Sequence, residues 1–95
     1  MKLLSTAHSE KAGKKLKAVF EVNGRQRTTH FGAAGMDDYT KTKDKEQRAR
    51  YRTRHKKDLE TGDPTRAGFL SYYILWGDST DVHTNISSYR RRFGL

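Results

Sequence analysis

Apolar side chains are densest between Asp63 and Trp76, in the run Asp-Pro-Thr-Arg-Ala-Gly-Phe-Leu-Ser-Tyr-Tyr-Ile-Leu-Trp. Phe69, Tyr73 and Trp76 fall at i, i+4 and i+7, Leu70 and Ile74 form a second stripe, and Tyr72 and Leu75 fill the gap. That spacing predicts a helix buried on most sides, with the rest of the chain packed around it. Asp63 offers the side-chain oxygen of an N-cap and Pro64 suits the first helical position, so the helix is predicted to start there. Gly77 is its predicted stop, in the left-handed conformation.

Upstream the period changes to two. Leu16, Ala18, Phe20 and Val22 alternate with Lys17, Val19 and Glu21, the pattern of a half-buried strand over 15–22. Asn23-Gly24 follows, the pair that a type I′ turn demands because both central residues need positive φ. A two-residue turn pairs Val22 with Arg25, Phe20 with Arg27, Ala18 with Thr29 and Leu16 with Phe31. The core face of that second strand is thin: Arg25 and Arg27 must lay their aliphatic stems along Val22 and Phe20. Residues 2–6 read as a further short strand and 8–13 as a connecting loop.

Past the hairpin, residues 32–40 form a loop with two glycines, Gly32 and Gly35, without the spacing of a phosphate-binding motif. Asp37 and Asp38 read as charges that complement the dipole of the next helix. That helix is expected over Lys43–Asp58, with Arg48, Tyr51 and His55 as its docking seam, Ala49 as a second anchor and Arg50, Arg54 and Lys57 shown to solvent; the bland alternative is a solvated face with i,i+4 pairs such as Glu46 with Arg50. Residues 60–62 turn into the core helix. Thr80 is the expected cap of a last helix in which Val82, Ile86, Tyr89 and Phe93 form one stripe. The whole is an α+β domain over 1–95: an N-terminal β-hairpin or three-stranded antiparallel meander, then three helices packed around the central apolar one.

Charge changes the picture from fold to partner. Among 95 residues there are 20 Lys plus Arg against 11 acids, a formal charge of +9. The excess calls for an anionic partner, nucleic acid first, with an acidic protein surface or an anionic membrane as rivals, although it also serves solubility. The cations that face out of the fold or gather at helix ends are the candidate contacts: Arg48, Arg50, Arg52, Arg54, Lys56, Lys57, Arg90, Arg91 and Arg92. No cysteine is present, so disulfides and thiolate metal sites are excluded. His8, His30, His55 and His83 lack zinc-ligand spacing, and an enzyme built on His30, Asp37, Asp38 and His55 would draw on scattered residues with no recognisable motif. No cofactor, metal or small-molecule substrate is expected. With no apolar run of membrane-spanning length and an opening Met-Lys-Leu-Leu too short for a signal sequence, an intracellular origin is expected.

Five stretches carry a resemblance: His30-Phe-Gly-Ala-Ala-Gly-Met-Asp-Asp-Tyr-Thr40, Arg50-Tyr-Arg-Thr-Arg-His55, Asp63-Pro-Thr-Arg-Ala-Gly68, Tyr73-Ile-Leu-Trp76 and Tyr89-Arg-Arg-Arg-Phe93. In order and spacing, from about Lys14 to Leu95, they resemble a family of small basic uncharacterised proteins encoded by large DNA viruses of algae and amoebae and by some marine phages. The chain departs from that pattern at Thr42 and Leu59, where a His and a Trp would be expected. The resemblance implies a viral origin and no catalytic residues. It implies a protein made in the host cytoplasm or nucleus and carried in the virion, a minor capsid or cement protein bound to viral capsid proteins, or alternatively a sequence-nonspecific companion of the genome.

Overall fold

The computed structural model describes all residues from Met1 to Leu95. Three antiparallel strands, β1 (Lys2–His8), β2 (Lys14–Val22) and β3 (Arg25–Ala33), form a meander in the order β1-β2-β3. Asn23 and Gly24 take φ of 53° and 79°, the left-handed pair of a type I′ turn. The turn sets the expected register, Val22 opposite Arg25 and Leu16 opposite Phe31. β1 runs two residues beyond the expected strand, and a bulge at Leu4 leaves that side chain exposed next to buried Leu3.

Helices cover one face of the sheet: α1 (Tyr39–Thr42), α2 (Lys45–His55), α3 (Ala67–Leu70) and α4 (Val82–Phe93). Ala18, Phe20 and Phe31 of the sheet meet Leu70, Ile74, Leu75 and Tyr89 in a single core. α4 presents the expected stripe, but its cap is Asp81, whose carboxylate accepts the Thr84 N–H, and not Thr80. Asn85 lies buried on the same face and binds three backbone groups, the carbonyls of Ile74 and Ser79 and the N–H of Ser79. It fastens α4 to the end of the central helix.

The central helix differs from the sequence expectation in three ways. It begins at Ala67, because the Asp63 carboxylate accepts from the N–H and hydroxyl of Thr65 and so caps a turn, with Arg66 N–H closing onto the Asp63 carbonyl. After one α turn it widens into a π turn, Ser71–Leu75, marked by the Trp76 N–H bonding the Ser71 carbonyl. A π turn takes more residues per revolution, so Trp76 falls back around the axis from the stripe it would share with Phe69 and Tyr73. Those two rings pack instead with Phe93 of α4. Finally, Gly77 is not left-handed: a Cβ there would lie 2.1 Å from the Tyr73 carbonyl oxygen and 2.9 Å from Asn85 Cγ, so this glycine is required by close approach.

The basic segment is also divided. Lys43, at φ 58°, ends α1, and α2 starts at Lys45 under Asp44, whose carboxylate accepts the N–H groups of Glu46 and Gln47. Past His55 the backbone tightens into a 3₁₀ segment, Lys56–Thr61, which Gly62 ends at φ 62°.

Candidate polyanion-binding face

α2 is held by its arginines and one tyrosine. Tyr51 is sandwiched between His55, at 4.1 Å between ring centroids, and Trp76, at 4.3 Å. Arg48 donates to the carbonyls of Gly77 and Asp78, at 3.2 Å each, and its guanidinium sits 4.4 Å over the Tyr39 ring. Arg52 donates through Nε to the Trp76 carbonyl at 2.9 Å and through Nη2 to the Asp78 carboxylate at 3.0 Å. These carbonyls are the electronegative end of the central helix, which has no backbone N–H left to satisfy them. The Arg52 hydrogen bond holds the Asp78 carboxyl below the usual carboxylate range. Ala49, expected as an anchor, is exposed.

The sequence candidates therefore separate. Arg48 and Arg52 clamp α2 to the core, and Arg90 does the same for the sheet edge by donating to the Leu3 carbonyl. Arg92 lies 4.9 Å from the Tyr73 ring centroid and Arg91 binds Ser88 within its own helix. Arg50, Arg54, Lys56 and Lys57 remain: all four are exposed, and no ion pair in the structure involves them, so the alternative Glu46–Arg50 pair does not form. Arg54, Lys56 and Lys57 also line a shallow depression with Thr53, Leu59 and Glu60.

On the inner side of α2, a cleft of about 580 Å³ separates it from the loop after β3, with Lys14, Gly32, Met36, Arg54, Ser71 and Trp76 among its walls. Two of its carboxylates are engaged with bases of the same cleft, while Lys14, Asp37 and Arg54 enter no ion pair. Lys15 pairs at 2.6 Å with Asp38, which is 2% exposed and caps α1, and His55 pairs at 3.0 Å with Asp58. Both faces of Tyr51 are covered, and burial, with the nearby Asp58 charge second, pushes its phenol up to about 12. Gly32 lies within β3 at φ +80°, where a Cβ would meet Leu75 Cδ1 at 2.6 Å, so close packing fixes it and the loop expected from residue 32 begins only after Ala33. His30 lies elsewhere, on the outer face of the sheet, with Nδ1 2.7 Å from Ser9 Oγ. Nowhere do three or more His, Cys, Asp or Glu side chains gather as a metal site. No helix is long and apolar enough to cross a membrane.

Sequence reasoning missed the Lys15–Asp38 pair, the arginine clamps on the carbonyls and the Tyr51–Trp76 stack. Only the last left a signal, Tyr51 being the one large apolar residue on the predicted seam.

A family model described as a family of unknown function (DUF5754) matches residues 5–55, just over half the chain and the part that forms the sheet, α1 and α2. No curated protein matches, and no solved structure matches.

Proposed function

The chain belongs to the family of unknown function DUF5754, and from that premise we propose a non-enzymatic role. It is a virus-encoded, virion-associated structural protein of the minor capsid or cement type that binds acidic neighbours through the outward face of α2 and the 3₁₀ segment after it. One observation carries the binding part: Arg50, Arg54, Lys56 and Lys57 are exposed and unpaired on a backbone held firmly from behind. Like charges crowded this way repel, and an acidic surface relieves the repulsion without any refolding of α2. The viral and virion part is supported by the resemblance of the stretches from His30 to Phe93 quoted above.

A second reading is sequence-nonspecific association with the viral genome. It is favoured by the spacing of Arg50 and Arg54, one turn apart along a helix side that can follow phosphates without reading bases. The partner would then be duplex, because a binder of single strands displays aromatics for stacking and here Tyr51 and Trp76 stack on each other.

Replacing Arg50, Arg54 and Lys57 together with Glu tests both. The fold should persist, and the variant should be lost from purified virions, as followed by mass spectrometry. Retention of the parent in DNA-free shells supports the structural role. Release alongside the genome, with duplex affinity falling linearly on a log–log plot against salt, supports the second reading. Incorporation of the triple variant at parental levels would remove this face from the function.

A further inference from the structure

The meander carries cations in the wrong place for a core. Arg25 and Arg27 occupy positions of β3 whose partners, Val22 and Phe20, belong to the core face, yet both arginines are exposed. The Thr29 hydroxyl bonds the Thr65 carbonyl, and beyond that point towards the turn β3 places only the exposed Arg27 and Arg25 opposite the core residues Phe20 and Val22. Neither arginine enters an ion pair. Exposed Arg66 is instead paired with Asp63 at 3.3 Å. Two unpaired guanidinium groups, those of Arg25 and Arg27, thus crown the hairpin tip.

This second patch lies at the other end of the hairpin from the cleft that α2 lines. α2 approaches the hairpin at its open end, where Tyr51 and Arg54 share the cleft with Gly32 and Ala33. From Arg25 to Gly32 a strand covers roughly 24 Å, at about 3.4 Å per residue. Arg25 is therefore at the other end of the hairpin from the residues of β3 that α2 approaches.

We propose that the hairpin tip, through Arg25 and Arg27, is a second docking surface for acidic protein, so that one molecule bridges two acidic neighbours. The proposal rests on the acidic-neighbour reading of α2 and adds the bridging. Division into two small patches suits separate carboxylate clusters, which arginine grips in bidentate fashion. A duplex, with a charge every ~1.7 Å, would be served better by one continuous strip. Arg25 and Arg27, two residues apart on one strand face, match carboxylates that alternate along an extended acidic segment.

The test is agglutination of latex particles coated with hexaglutamate, which joins two particles only through a molecule that engages both at once. The full-length parent should bind and agglutinate the particles. The double variant Arg25→Gln, Arg27→Gln should still bind within about twofold, yet need at least ~100-fold more protein to agglutinate, because the second engagement is lost. A charge-matched variant, Lys11→Gln with Lys41→Gln at two exposed positions, should agglutinate like the parent. Parental agglutination by the arginine variant overturns the bridging and leaves the α2 reading standing. A parent that ignores hexaglutamate overturns both, and agglutination confined to particles coated with duplex DNA overturns the assignment to acidic protein.

Discussion

Tyr51 of α2 stacks on Trp76 at the end of the central helix with ring planes 8° apart, so the basic helix is bound to the core through aromatic faces. Trp76 is 7% exposed, and its partner is not Phe69 or Tyr73, as helical spacing implies, because the π turn swings it towards α2. Truncating either ring removes a stacked pair as well as buried area. Trp76→Ala should lower stability by roughly 3–5 kcal/mol, and Tyr51→Ala by a comparable amount. Urea titration followed by circular dichroism measures both, and a parental midpoint in either would exclude the stack as the anchor of α2.

The same burial makes alkaline stability depend on Tyr51. Its phenol is pushed up to about 12, against an ordinary value near 10, so folding favours the protonated form. The stabilisation is complete below pH 10 and is lost as the pH rises from 10 towards 12. Ultraviolet difference spectra should show a phenol titrating about two units late, and Tyr51→Phe should remove that step and lessen the loss of stability over the same interval, to which Tyr89, its phenol also raised by burial, still contributes. An unchanged titration in Tyr51→Phe would assign the late phenol elsewhere.

Gly77 has no tolerance for a side chain. The atom that a Cβ would meet at 2.1 Å is a backbone oxygen of the π turn, which cannot swing aside. Gly77→Ala should destabilise by about 3 kcal/mol, at the upper end of overpacking costs, whereas Gly35→Ala, with open space at a φ of +81°, pays only the left-handed penalty of about 1 kcal/mol. Equal thermal shifts for the two would mean that the backbone yields at Gly77.

What was legible in the sequence was local. Asn23-Gly24 determines its own φ values, and from them the register of β2 and β3 follows. The stripe of α4 and the division into sheet and helices were equally plain. What was not legible depended on remote partners. Asp63 has a cap's chemistry but spends it on the turn at Thr65, and nothing near Ser71 announces a π turn, which is settled by where Trp76 finds a ring to stack on. For the site, the surplus of cations in α2 was visible. Which of them remain free was not, because Arg48 and Arg52 are claimed by carbonyls of Trp76, Gly77 and Asp78 that come close only in the folded chain.

That division of labour among the arginines can be tested by charge-neutral substitution. Arg52→Gln should cost about 1–2 kcal/mol, since it strips a hydrogen bond from the Trp76 carbonyl at the helix end. It should also return the Asp78 carboxyl towards its ordinary range. In the parent that carboxyl is depressed, so its stabilising contribution is present above the unfolded value and fades as the pH falls through the folded one. In Arg52→Gln this acid-side loss should shrink. Arg50→Gln and Arg54→Gln should leave stability within about 0.5 kcal/mol, because neither side chain has a partner inside the molecule, and should weaken binding to an acidic partner instead. Denaturation and binding measured on the same three proteins give opposite orders if the assignment holds. If Arg52→Gln loses binding with stability intact, or Arg50→Gln unfolds the protein, the sorting of α2 into an inner clamp and an outer face is wrong.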